Sequence, residues 1–287
     1  MGQVLVSKEL NDGDILWRYL SLDKLIFLLS EKSLYFTPLK NLMENDPFEG
    51  LLPEVILKQW KDIFQSSLGP STKQTEEALK IVERDDKSNE LVAEANEKLE
   101  RIKVAPKNIF KHIIERIGVS CWHKGSVESE SMWKIYSDAG KGIAIKSTVK
   151  RLKDSLGVQD LDTKIRINKV RYLDFFDKDL DPQECIIDGK IIAFIKRKSY
   201  ATENEVRAYT FPDLGHQPND DTEPEGISVL VDVNTLVENI YISPFAGPPF
   251  PSSIVSVCKK FGFDSDKVIP SSLLSSGDRL LDILRLE

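Results

Sequence analysis

The chain has 287 residues, 41% hydrophobic and 30% charged, which suffices for one large core or two modest domains. Its formal net charge of −7 argues against a general electrostatic grip on nucleic acid, although Lys196 to Lys198 leave room for a local basic groove. Three distant cysteines without CxxC spacing argue against a disulfide framework or structural zinc, and the absence of a basic leader or long apolar run leads us to expect a cytoplasmic chain that makes no membrane contact.

Taken in order, Asp14 to Leu20 reads as a first strand that sets Arg18 between Trp17 and Tyr19. Ser21 is a good N-cap for a helix from Leu22 to Glu31 with Leu22, Leu25, Ile26 and Leu29 on its apolar face. Ser33 to Thr37 is a short strand ended by Pro38, and Asn45 to Gly50 is a turn by composition. Residues 54 to 117 read as helices over Glu54 to Gln65, Ser71 to Glu83, Ser88 to Lys103 and Pro106 to about Ile117. Breaks are expected at Gly69-Pro70 and around Asp85-Asp86, with Pro106 restarting a helix in its first turn.

Val119 to His123 returns to a strand, followed by a short helix over Glu130 to Tyr136. Cys121 and His123 share one strand face, which raises a thiol-nucleophile reading, but nothing in the sequence supplies a third, orienting group. Ala139 to Ile145 is a glycine turn into a strand without P-loop spacing, so phosphate cradling is not expected there. Lys164 to Asp174 reads as a strand, 183 to 195 as helical, and 212 to 225 as a long acidic loop. A strand over Gly226 to Val233, a short helical turn capped by Asn234, a strand over Ile240 to Pro244, a helix from Ser252 to about Phe261 and an edge strand over Lys267 to Leu273 complete the chain. Without repeated βα units this is an α+β pattern: one domain over 1–287, with a mixed or mainly antiparallel sheet, open to being split around a cleft, and a helical insertion or cap at about 54–117.

The most informative stretch is Ala193 to Tyr209, where three consecutive cations precede Glu203 and Glu205 and a strand-like alternation begins. If Glu205 opens that strand, period two puts Glu203 on the same face, and two carboxylates so placed repel, raising the pKa of one. Such a pair suits a general base or a cation-stabilising site. The plainer alternative is a solvated strand edge whose acids pair with Lys196, Lys198 and Arg207.

Trp17-Arg18-Tyr19, Leu34 to Pro38, Asn45 to Glu49, Ser120-Cys121-Trp122, Met132-Trp133 with Tyr136, Lys141 to Ile145, Lys196 with Glu203 to Arg207, and Ile242-Ser243-Pro244 occur in an order that resembles the bacterial family called domain of unknown function 2971. More loosely, an Arg on the first strand, a Ser on a middle strand and a late Glu-x-Glu resemble the Arg–Ser–Glu type of ADP-ribosyltransferase. That resemblance implies NAD as substrate, no metal, and Arg18 as anchor for a phosphate. It further implies Ser120, or Ser131 in its place, at the nicotinamide ribose, and Glu205 stabilising the oxocarbenium-like cation with Glu203 assisting at the acceptor. Trp17, Tyr19 or Tyr136 would stack on the nicotinamide ring. The acceptor would be a macromolecule, protein or nucleic acid, with an antitoxin or regulatory partner in a defence setting. Two other classes fit the same residues: a metal-dependent nuclease using Asp46, Glu49, Glu203 and Glu205 with Lys196 or Lys198, and a non-enzymatic regulatory or binding protein.

Overall fold

The computed structural model describes residues 4–82, 89–156, 164–186, 194–210, 226–275 and 277–284. The strands are β1 (Val4–Val6), β2 (Ile15–Leu20), β3 (Ser33–Pro38), β4 (Gly118–Lys124), β5 (Ile143–Thr148), β6 (Ile165–Lys169), β7 (Arg171–Leu173), β8 (Ile195–Arg197), β9 (Glu205–Thr210), β10 (Ile227–Leu230), β11 (Asn239–Ile242) and β12 (Val268–Pro270). The helices that matter below are α1 (Leu22–Glu31), α2 (Leu39–Leu42), α3 (Glu54–Val82), α4 (Asn89–Arg116), α5 (Glu130–Tyr136), α6 (Val149–Leu156), α7 (Val233–Leu236) and α8 (Phe250–Lys260).

The fold is α+β, built on a mixed, mostly antiparallel sheet in the order β1-β6-β9-β4-β2-β5-β11-β12. Parallel pairing occurs between β1 and β6, between β11 and β12, and in the separate β7–β8 ladder. One edge of β4 is covered by β9 from Gly118 to His123. The other edge is shared: β2 pairs with it at Lys124 and His123, and β3 at Val119 and Gly118. The sheet therefore forks at β4, with β3 and its partner β10 leaving the main path. The branch leaves one connected sheet, not the two parts around a cleft that the irregular strand pattern left open.

Strand alternation sorts the core into two layers. On one face Leu16, Leu20, Trp122, Ile143, Ile145, Val206 and Ala208 pack with the apolar sides of α1, α6 and α8. On the other face lie two apolar groups. Val119 and Tyr209 meet Leu39 of α2 and the base of the α3–α4 hairpin through Leu52, Ile56 and Ile114. Trp17, Tyr19 and Ala144 meet Met132 and Trp133 of α5.

Several expectations need correction. α3 runs through Gly69-Pro70 and α4 through Pro106, so both prolines are interior helix residues and not breaks. β9 is a central strand buried on both faces, not a half-buried edge. Lys164 to Asp174 divides at Val170 into β6 and β7, because the chain leaves the main sheet to pair with β8. The expected helix over 183 to 195 is a 3-10 turn at Pro182–Cys185, and residues 187–193 of that expectation lie outside the described residues, as does the 212–225 loop and the break at Asp85-Asp86. Asp232 caps α7 in place of Asn234, accepting from the N–H groups of Asn234 and Thr235, which makes Asn234 a residue of the first turn. α6 had no expectation attached. In the glycine turn before β5, Gly140 adopts a left-handed φ of 78° and a Cβ there would meet the Phe245 carbonyl at 3.0 Å, so close packing accounts for this glycine.

Candidate functional site

β9, β8 and the loop before α3 converge on a buried ladder of charges between the two apolar groups of the second face. Arg207 is its floor. Its Nη1 donates to Glu49 Oε1 at 2.7 Å and its Nη2 to Glu49 Oε2 at 3.0 Å. On the other side Nε donates to Glu205 Oε1 at 2.7 Å and Nη2 to Glu205 Oε2 at 3.1 Å. The planar guanidinium thus grips two carboxylates in fork geometry, which an ammonium cannot do. Above it Lys196 Nζ lies 3.3 Å from Glu205 Oε2, 3.7 Å from Glu49 Oε2 and in hydrogen-bond contact with Glu203. Side-chain exposure falls from 12% at Glu203 through 9% at Lys196 and 5% at Glu205 to 0% at Arg207, which gives the ladder a mouth and a base.

Three carboxylates face two cations, so the ladder carries one excess negative charge. Its members respond differently. Burial would raise the Glu205 carboxyl, but Arg207 and Lys196 outweigh it and hold the group at about 2. Burial also opposes the charge on Lys196, yet Glu205, Glu49 and Glu203 raise its pKa, so it stays an ammonium. At Glu203 burial prevails over Lys196 and the pKa is raised. The carboxylate nearest solvent is therefore the one most ready to take a proton.

The local chain explains this placement. Glu203 ends a 3-10 turn over Lys198–Glu203, Asn204 takes a left-handed conformation (φ 38°), and Glu205 opens β9. Asn204 suits that position because its side chain donates to the Lys124 carbonyl at 2.6 Å. Glu203 and Glu205 thus meet at Lys196 through the turn and not by strand alternation. Their surroundings are neither an edge nor solvated. Tyr172 Oη accepts from the Glu205 N–H at 2.8 Å, and the Tyr200 ring lies 5.0 Å from Lys196 Nζ. His123 Nδ1 donates to the Glu203 carbonyl at 2.6 Å, which leaves Nε2 as the acceptor nitrogen. Beside the ladder, Arg197 Nη2 pairs with Asp46 Oδ1 at 2.5 Å over the Phe48 ring, while Asp46 Oδ2 and Arg197 Nε are buried without a protein partner.

The sequence-derived site residues divide. Glu203, Glu205 and Tyr136 come together: the Tyr136 phenol is raised by burial and by Glu203, Cys121 and Glu205, while the residue as a whole is 43% exposed. Trp17 and Tyr19 share this face but are packed inside it; burial pushes the Tyr19 phenol to about 12, and its oxygen accepts from the Ser129 N–H. Of the three aromatics expected to stack on a ligand, Tyr136 is the most exposed. Arg18 and Ser120 belong by strand parity to the opposite face. Ser120 is fully buried and accepts from Trp122 Nε1 at 3.2 Å, and Ser131 caps no ladder group but contacts Ser129 Oγ. Arg18 lies at the fork, 5.7 Å over the Trp122 ring and donating to the Tyr35 carbonyl at 3.3 Å, with no carboxylate partner among the described residues. Burial lowers its pKa to about 10.

The thiol-nucleophile reading gains no support, since His123 Nδ1 is engaged by the Glu203 carbonyl. Burial and Glu205 push the Cys121 thiol well above its ordinary value, which removes the thiolate. For the nuclease reading, Glu49, Glu203 and Glu205 do converge, but Lys196 and Arg207 occupy their common centre. Among the described residues no group of three His, Cys, Asp or Glu side chains is set to hold a metal ion, and no helix is long and apolar enough to cross a membrane. No protein-family model matches the chain, nor does any curated protein or solved structure.

Proposed function

We propose that the ladder is the electrostatic centre of an ADP-ribosyl transfer site, with Glu203 and not Glu205 facing the reacting sugar of NAD. The observation that carries this is the excess negative charge at the mouth, resting on a carboxylate whose pKa is raised beside two that are neutralised. As the bond from ribose C1 to the nicotinamide nitrogen breaks, its electron pair leaves with nicotinamide and positive charge grows on the sugar. A preorganised anion in a water-poor site stabilises that charge. The acceptor hydroxyl or amine of a macromolecule then bonds to C1, and its proton passes to Glu203. Glu205 is a positioning residue that fixes Lys196 behind Glu203. Tyr136, the most exposed of the three aromatics, is the candidate to stack on the nicotinamide, whereas Arg18, on the opposite face of the sheet, takes no part in this site.

NAD titration by calorimetry tests this arrangement. Tyr136→Ala is expected to weaken binding by about tenfold, the loss of one good contact, while Arg18→Ala, across the sheet, should leave it unchanged. Undiminished binding in Tyr136→Ala would detach α5 from the site. A second reading, a regulatory binding protein without enzymatic activity, is favoured by a different observation: the uncovered apolar groove on the α3–α4 hairpin.

A further inference from the structure

α3 and α4 pack as a hairpin, and two of their side-chain contacts are unequally spaced along the two helices. Trp60 meets the Phe110 ring edge to face at 5.6 Å, and Glu76 meets Lys103 at 3.2 Å. Between these contacts α3 advances sixteen residues and α4 only seven, about 24 Å against about 10 Å of helix rise. The helices cannot stay in register over that span, and each carries an interior proline within it, Pro70 and Pro106. The result is a cavity of about 720 Å³ beside Gly69 and Pro106, lined by Trp60, Phe64, Leu68, Ile102 and Phe110. All five of these apolar side chains are only partly buried. The rim is basic. Lys61, Lys73, Lys103 and Lys107 border the cavity against the single carboxylate of Glu76, in a chain whose net charge is −7. Glu76 is already paired with Lys103, while Lys61, Lys73 and Lys107 have no carboxylate partner among the described residues.

We propose that this hairpin binds a free long-chain carboxylate, with the alkyl chain between the helices and the head group on the lysine rim. An apolar body with an anionic end matches both halves of the site. The volume argues for a small amphiphile over a partner helix, since a helix about 10 Å across would place fewer than about two turns in it. Leu51 on the cavity wall lies two residues from Glu49 of the ladder, but binding here does not depend on the transfer reaction.

Hexadecanoate, kept below its aggregation threshold, is titrated calorimetrically into the full chain. Saturable one-to-one binding is expected. The uncharged hexadecanol, and the triple variant Lys61→Glu, Lys73→Glu, Lys107→Glu, should each bind about tenfold or more weakly, because the head group then lacks its complementary charge. These lysines are exposed, so the triple variant should keep the parent's circular dichroism; Phe64→Glu, which puts a charge inside the cavity, is the second variant and should also lose binding. Absence of saturable binding by the parent overturns the proposal. So does equal binding of hexadecanoate to parent and triple variant. Association only with anionic vesicles would make the hairpin a membrane-surface element instead, and concentration-dependent dimers that Phe64→Glu abolishes would make the groove an interface between copies; either outcome also overturns the proposal.

Discussion

Glu203 and Glu205 are separated by one residue and by opposite electrostatic fates, and the pH dependence of stability should reveal the difference. The Glu205 carboxyl falls from 4.5 in the unfolded chain to about 2 in the fold. Its contribution is therefore present above about pH 4.5 and is lost as pH falls towards 2, and amounts to on the order of 3 kcal/mol at neutral pH. Glu203 has the opposite sign: its raised pKa means that the fold binds the proton more tightly than the unfolded chain, so stability falls as pH rises above 4.5 through the folded value. Glu205→Gln should accordingly lower stability by about 3 kcal/mol at pH 7 and flatten the acid limb of the unfolding curve. Glu203→Gln should leave stability unchanged or raise it by up to about 1 kcal/mol. Urea melts from pH 3 to pH 8 decide this, and equal destabilisation by the two variants would make Glu203 as structural as its neighbour. Lys196→Met leaves three carboxylates to Arg207 alone, with an expected cost of about 3–5 kcal/mol.

At this scale the sequence was a partial guide. The Glu-x-Glu step and its adjacent cations are visible in the chain, and so is the prospect of one raised carboxyl. Glu49 joins Arg207 from 158 residues away, and no local spacing announces that contact. The parity that places Arg18 and Ser120 opposite Glu205 depends on the register of β2, β4 and β9, which only the assembled sheet supplies. His123 was considered as a partner for Cys121; its actual partner is the Glu203 carbonyl, a backbone group on which side-chain identity has no purchase.

Among the elements, amphipathic stripes and caps located α1, β2 to β4 and α5 closely, because each forms from its own neighbours. Prolines misled for a physical reason. Pro70 and Pro106 each remove one backbone hydrogen bond, which disfavours an isolated helix, but α3 and α4 both continue past them as members of one hairpin whose packing elsewhere, such as Trp60 on Phe110, offsets that loss. Pro70→Ala should therefore raise hairpin stability by about 1–3 kcal/mol and straighten α3, measured by thermal melts. Straightening brings the unequal contact points into conflict, so hexadecanoate affinity should fall in the same variant. A more stable variant with unchanged affinity would show that the proline does not shape the cavity.

For the molecule as a whole, the α+β class could be read from the irregular order of strand and helix signals, whereas the fork could not, because it arises where β2 and β3 compete for one edge of β4. The hairpin meets the sheet through its base, at Ile56, Trp60, Phe110, Ile113 and Ile114. If it is an insertion, replacing residues 63–107 with a short glycine–serine linker should keep the sheet folded, with its near-ultraviolet dichroism intact apart from the shortened helices. Collapse to a state without fixed tertiary signal would instead make the hairpin part of the folding core.

The most direct test of the transfer site is nicotinamide release from NAD, followed with the parent, Glu203→Gln and Glu205→Gln at matched folded content. The parent should release nicotinamide, and Glu203→Gln should lower kcat by about a hundredfold or more while its stability holds, as expected for a charge that acts in the transition state. Undiminished release from Glu203→Gln, or no release from the folded parent with any acceptor-containing extract, would contradict the assignment and leave the ladder as an internal ionic lock.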